Sequence, residues 1–519
     1  MNHFNSKWDI ATGILLILLF SLIILTFRHY GLTWDEKASM EEGEHFVGWY
    51  TSLFTDRTLI SKEDYFYYGS FFTGLAFFLH RFSPLGLFET SHLLNALFGL
   101  VGVIYTYKTC RLIAGPKAAF FSIVFLALTP IFWGHSFNNP KDIPIAALFM
   151  ASFYYIVLSY QKLPNLSTSL LIKLALCIGF ALGTRVINFS LLLYLGGAWS
   201  LWMYNQKTKS HLKTLLKKFL VVTFIAYSIM LAFWPYAQVS PLWHPLESLL
   251  KFSHFNWPFN NHFKGRFISA SSLPWDYVLT WFLITLPEYY LVCLFLGGFL
   301  FFQRMKSSQN KILNGNLYFI LFLAIFLPIL LAIVSHAVLY DGIRHFIFTV
   351  PLLAVLAGVS YSKFLEGSAQ SLFKWMTSMA IALSAATCVW DMIKLHPYEA
   401  IYYNRMFSGG FSHAVENFEG DYWGMTYKEA AQWLIQNYQS EKHPVKVANC
   451  SASFLSGYFL EKINQIQPRF ISVEMNDDPD IVLATTRWDF HKRIQGKVIH
   501  IVERMNTPLA YVFEMSKNH

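Results

Sequence analysis

Two adjacent carboxylates, Asp35 and Glu36, follow the first apolar run of the chain by only a few residues. Further on, Asn138-Asn139-Pro140-Lys141-Asp142-Ile143-Pro144 joins an ammonium to a third carboxylate. Arg185 stands within Gly183-Thr184-Arg185-Val186, and Tyr340-Asp341-Gly342-Ile343-Arg344-His345 sets a guanidinium beside a phenol and an imidazole. A carboxylate can accept the proton of an attacking hydroxyl or amine. Lysine and arginine can hold a departing phosphate as its negative charge grows. Asp35 is therefore expected as a base with Glu36 beside it, and Asp142 as a third acid that orients the acceptor. Lys141, Arg185 and Arg344 are expected to hold phosphate, with Tyr340 and His345 lining the same site. Asp35 and Asp142 together can bind a divalent cation, Mg²⁺ or Mn²⁺, although nothing in the sequence demands one. Each residue also has a plainer reading. Asp142 suits a helix start with Pro144 in its first turn, Arg185 can snorkel to an interface, and loop charges can simply be solvated.

What must position these residues is a membrane. Of the 519 residues, 55% are hydrophobic and only 14% charged, against about 25% charged in soluble domains. Eleven apolar runs approach the ~20 residues needed to cross hydrocarbon as a helix. They are Ile10–Phe27, Leu93–Tyr107, Ala118–Gly134, Ile143–Tyr160, Leu170–Leu182, Ile187–Tyr204, Phe219–Tyr236, Pro287–Phe302, Leu317–Ser335, Phe346–Ser360 and Leu372–Val389. With the N-terminus in the cytoplasm, the connectors on that side hold fourteen cations, Lys209, Lys306 and Lys311 among them, against Asp9 and Glu366. That asymmetry favours this orientation. It also accounts for the net charge of +9 without nucleic acid, because the cations fall in short connectors. The first run is too long for a secretory signal core and is followed by Arg28-His29-Tyr30 rather than a small-residue cleavage site, so it is read as a retained span. The five cysteines show neither metal spacing nor a disulfide framework.

The resulting architecture is an all-α polytopic membrane protein, residues 1–395, with a large outer loop over 28–89 and a C-terminal tail on the same side. Tyr65–Phe82 and Trp275–Leu286 are rich in aromatics and read as helices lying in the interface. From 396 to 519 the composition turns polar and implies a small mixed α/β domain. Thr426 and Glu429 have the spacing of a capping box opening a helix to about Tyr438. Strands are expected at Val445–Ala448, Ile481–Ala484, Val498–Val502 and Ala510–Phe513, the last two flanking a turn at Asn506-Thr507-Pro508. No glycine-rich nucleotide loop and no Ser-His-Asp ordering is present. The topology brings Asp35, Asp142, Arg185 and Arg344 to one outer surface, beside apolar helices. That is what glycosyl transfer from a membrane-embedded phospholipid requires.

The order of these segments resembles a known group. An Asp-Glu pair after the first span, Pro140-Lys141-Asp142 after the third, and a short hairpin ending in Thr184-Arg185 look like the GT-C glycosyltransferases. Among these the chain is most similar to family 39, with the protein O-mannosyltransferases and the aminoarabinose transferase of lipid A. Leu339–His345, His396-Pro397-Tyr398-Glu399-Ala400-Ile401-Tyr402-Tyr403-Asn404 and Asp421-Tyr422-Trp423-Gly424 are similar to segments of its bacterial members. The resemblance implies an inverting enzyme of the bacterial inner membrane. It would take sugar from a polyprenyl-phosphate donor, use Asp35 as base, and deliver it to an extracytoplasmic lipid, glycan or protein. The tail shows no β-trefoil repeat, unlike the protein O-mannosyltransferases. A lipid-linked sugar flippase, a glycan ligase and a non-catalytic assembly factor are the competing readings.

Overall fold

The computed structural model describes residues 6–207, 210–253, 257–305, 312–440, 444–464 and 469–516. Lys209, Lys306 and Lys311 lie outside these. In hydrocarbon every backbone amide must be satisfied within its own element, so apolar runs form helices. All eleven runs are helical, and eight helices among the described residues are long and apolar enough to cross a membrane. The protein is an integral membrane protein. The Asp142–Lys162 and Arg344–Glu366 spans form the centre, each 83% buried, while Lys7–Thr26, Leu212–Ala232 and Ser371–Leu395 are 22%, 22% and 17% buried and lie at the periphery. Apolar burial gives little attraction between helices in lipid, so close approach through small residues matters. At Gly358, for instance, a Cβ would stand 2.6 Å from both the Ala118 carbonyl and the Ser122 nitrogen.

Three expected spans depart from straight crossings. The third divides into Pro116–Ala127 and Pro130–Asn138, bent by 65°, because Pro130 starts a new helix where its missing N–H costs nothing. Thr168–Leu182 has 15 residues, too short to cross. Tyr277–Thr285, the expected interfacial helix, turns by 116° at Leu286-Pro287 into the next span.

The first long loop is folded onto the bundle rather than free. Trp34–Thr51 is an 18-residue helix. The stretch read as one interfacial helix over Tyr65–Phe82 instead breaks into Glu63–Phe66 and Phe71–His80. The break docks at Gly69, where a Cβ would lie 2.3 Å from the Gly183 carbonyl. The Phe71 and Ser70 amides donate to the Gly183 and Phe233 carbonyls at 3.0 and 2.8 Å.

A two-stranded hairpin, β1 (Asn260–Phe263) and β2 (Arg266–Ser269), precedes the C-terminal sheet. That sheet comprises β3 (Val445–Asn449), β4 (Phe470–Ser472), β5 (Ile481–Thr485), β6 (Lys497–Arg504) and β7 (Thr507–Glu514), in the order β4-β3-β5-β7-β6. Strands β3, β4 and β5 pair in parallel, and β7 joins β5 and β6 antiparallel. The turn falls one residue earlier than expected, at Met505-Asn506, both with positive φ, the two-residue form that suits hairpin twist. The capping box at Thr426 does not form. The Thr426 hydroxyl donates to Asp421 at 2.6 Å, and Glu429 pairs with Arg504 at 2.6 Å.

Candidate active site

The capping box lies instead at Thr33. The Thr33 amide donates to Glu36 Oε2 at 2.8 Å, and the other Glu36 oxygen meets His92 Nε2 at 2.7 Å. Glu36 is fully buried by these contacts, so it fixes the start of the helix and does not join the cavity described below. Asp35, one residue earlier, points the other way. Its Oδ2 accepts from Arg344 at 3.0 Å and its Oδ1 lies 3.8 Å from the Lys141 ammonium. Burial alone would raise the Asp35 pKa. Lys141 and Arg344, with Arg185 beyond them, overcome that and hold the carboxyl well below the usual range. The same pairing keeps Lys141 charged. Burial opposes the charge there and Asp35 more than offsets it.

Asp142 opens its span. Asn139, three residues earlier, accepts from the Asp142 amide and donates to the Asp142 carboxylate, both at 2.9 Å. Asp142 Oδ1 also meets Arg185 at 3.3 Å. Lys141 and Arg185 stand 5.0 and 5.7 Å from the centre of the Tyr68 ring, which brings the two cations to one aromatic side chain. Arg344 lies 4.9 Å from both the Tyr340 and Trp423 ring centres, and 3.6 Å from Asp341. Asp341 continues to Arg487 at 2.7 Å. Half-buried His345 packs edge-on to Tyr340 with ring centres 4.7 Å apart, and its buried Nδ1 meets no hydrogen-bond partner among the described residues.

These side chains head a cavity of about 360 Å³. One end is polar, with Tyr68, Asp142, Arg185, Tyr340, Arg344 and His345. The other runs between the Val186–Asn205 and Gly315–Val334 spans along Ile187, Leu193, Leu327 and Leu331. Such a shape can hold an anionic head on an apolar tail. Of the eight residues singled out by sequence, seven gather here, five of them in the cavity wall and Asp35 and Lys141 behind it, Asp35 pairing with both Arg344 and Lys141. Glu36 alone is turned away.

The residues do not fit a shared divalent cation. Both Asp35 oxygens face Arg344 and Lys141, and those of Asp142 face Asn139 and Arg185. No group of three or more His, Cys, Asp or Glu side chains suited to a metal gathers among the described residues.

Sequence reasoning did not assign Tyr68, Asn139, Asp341, Trp423 or Arg487. Four of them stand inside segments that were singled out for other reasons. Arg487, in the Thr485-Thr486-Arg487 stretch after β5, carried no local signal.

A family profile described as dolichyl-phosphate-mannose-protein mannosyltransferase matches residues 86–235. That range holds Lys141, Asp142 and Arg185 but neither Asp35 nor Arg344. No curated protein matches the sequence. The crystal structure of ArnT from Cupriavidus metallidurans in the apo state superposes over 97% of this chain and 98% of its own, with TM-score 0.50 and 12% identity. The two chains share one fold. The apo oligosaccharyltransferase of Archaeoglobus fulgidus covers 91% of this chain and 66% of its own, with TM-score 0.49 and 11% identity. The archaeal oligosaccharyltransferase AglB from the same organism, in complex with an inhibitory peptide and a dolichol-phosphate, covers 92% and 70%, with TM-score 0.48 and 10% identity. In this fold Asp35, after the first span, and Arg344, before the Val350–Glu366 helix, meet across 309 residues of sequence.

Proposed function

We propose that the protein transfers a sugar from a polyprenyl-phosphate donor to an acceptor at the extracytoplasmic face, with inversion, using Asp35 as base. The observation that carries this reading is the cavity itself. Its cationic head abuts a carboxylate, and its apolar length is open to a lipid chain.

The donor phosphate enters between Arg344, Arg185 and Lys141, and its isoprenoid lies along Leu193, Leu327 and Leu331. A phosphate there competes with Asp35 for Arg344 and Lys141. As those cations turn to the phosphate, the Asp35 carboxylate loses what depresses its basicity and becomes a better proton acceptor. The acceptor hydroxyl or amine attacks the anomeric carbon from the side opposite the phosphate. The new bond to that carbon forms as the carbon–oxygen bond to phosphate breaks. The proton passes to Asp35, and the electron pair leaves on polyprenyl phosphate, where the cations hold it. Asp142 keeps Arg185 in place, and Glu36 holds the helix that presents Asp35.

The test supplies the purified protein in detergent with polyprenyl-phosphate sugars. Wild type is expected to consume donor, and Asp35→Asn to lose at least ~100-fold, the scale of a missing general base. Equal consumption by the two proteins would remove Asp35 from the reaction.

A further inference from the structure

A second cavity, of about 400 Å³, lies apart from the donor cavity, where the C-terminal domain meets the membrane module. Arg28, just beyond the first span, and Glu89, in the first turn of the next, set it at the membrane surface. Its upper wall comes from two tail helices, Tyr427–Asn437 and Phe454–Asn464. The charges do not cancel. Glu89 is occupied by Lys462 at 2.6 Å and the Tyr458 hydroxyl at 2.9 Å. Among the described residues Lys428 hydrogen-bonds backbone alone, donating to the Arg28 carbonyl and to the Tyr30 carbonyl at 3.2 Å. Among the described residues no carboxylate forms an ion pair with Lys428 or with Arg28. Phe459 lies 5.4 Å beneath the Lys428 ammonium and gives the cavity an apolar wall.

A partly buried ammonium without an opposite charge is costly unless something anionic arrives. Burial does depress the Lys428 pKa, to about 8, with Glu89 only partly opposing it. We propose that this cavity binds the anionic headgroup of a membrane lipid, its phosphate or carboxylate held by Lys428 and Arg28 and its glycerol-like portion against Phe459. The position favours a lipid over a soluble anion, because two span ends frame the cavity. The site is independent of the donor reading, since none of its charged residues touches Asp35, Arg344 or the first cavity.

Lipid retention tests this without any turnover. The full-length protein is exchanged into detergent from vesicles of equal parts phosphatidylglycerol and phosphatidylcholine, and bound lipid is counted by native mass spectrometry. Wild type should keep phosphatidylglycerol in preference. Lys428→Gln should lower that retention roughly tenfold, the scale of one lost charge-assisted hydrogen bond. Arg28→Gln should lower it less, and Lys428→Arg should keep it. If Lys428→Gln does not fold, the Arg28→Gln and Lys428→Arg pair decides. Equal retention of both lipids by wild type, or unchanged preference in Arg28→Gln and Lys428→Gln, would overturn the proposal. So would displacement of the lipid by millimolar inorganic phosphate or by a polyglutamate peptide, which would point to a soluble anion or an acidic protein.

Discussion

Arg344 faces Asp35 at 3.0 Å and Asp341 at 3.6 Å, and stacks near two aromatic rings, so its charge is shared before any donor arrives. Arg344→Lys keeps a cation but loses the planar fork that meets a carboxylate and a phosphate together. It should raise the donor KM by about tenfold, near 1.4 kcal/mol, with a smaller change in kcat, as read from donor-dependence curves. Arg344→Ala should lose both. Chelation gives a contrasting expectation. With each carboxylate already matched by cations, excess EDTA should leave donor turnover unchanged in a coupled assay, and a loss restored by Mg²⁺ or Mn²⁺ would refute this pairing. Glu42, on the helix of Asp35, behaves differently. Burial pushes its pKa up to about 7, and Ser70, Thr73 and Lys141 only partly oppose this. A carboxyl whose folded pKa is raised supports the fold while protonated, and that contribution fades as pH rises from about 4.5 through 7. Glu419, also raised to about 7, acts in the same direction. Melting temperature should therefore fall between pH 5 and pH 8, and Glu42→Gln should flatten part of that decline, measured by thermal unfolding in detergent across this range.

The helix Trp34–Thr51 carries Asp35, and its first turn shows why two neighbouring carboxylates take different positions. Thr33 at the N-cap and Glu36 three residues on are a capping pair, and capping fixes which way Asp35 points. Glu36→Gln still accepts from the Thr33 amide and should keep activity within about threefold, whereas Glu36→Ala frees that amide at about 1–2 kcal/mol and should cost far more. A catalytic acid would lose as much as Gln as it does as Ala, so comparing the two by kcat separates positioning from catalysis. The Thr-x-x-Glu spacing was legible, yet adjacency of Asp35 and Glu36 suggested shared chemistry instead. Other elements show where composition suffices and where it does not. Runs such as Ile10–Phe27 announce themselves by length and apolarity alone. The helix at Trp34–Thr51 does not, because Glu41-Glu42-Gly43-Glu44-His45 reads as solvated loop until its partners on Phe71–His80 are known. The bend at Pro130 and the docking of Gly69 on Gly183 depend on which backbone lies opposite, and no local pattern encodes that.

Across the molecule, the C-terminal domain completes the site rather than hanging beside it. Trp423 covers Arg344, the Tyr422 hydroxyl meets His135 at 3.1 Å, and Arg487 both anchors Asp341 and donates to the Tyr422 carbonyl. Charges thus alternate from Lys141 through Asp35, Arg344 and Asp341 to Arg487, the last contributed by a domain more than 300 residues beyond the first. The membrane half of this chain was readable because charged residues are scarce in apolar sequence and each one stands out. Arg487 lies in a domain where arginine is ordinary, so only folding reveals its part. Removing it should be felt at Asp35. In Arg487→Ala, Asp341 loses its nearer cation and draws Arg344 toward itself, which loosens Arg344 from Asp35. The donor KM should then rise, and the acid limb of the pH–rate profile should move to higher pH, because the Asp35 carboxyl is no longer held so far below its usual range. Arg487→Lys should restore part of both effects. A purely structural role would instead lower the active fraction at unchanged KM and unchanged acid limb, so the pH profile of the surviving activity decides between them.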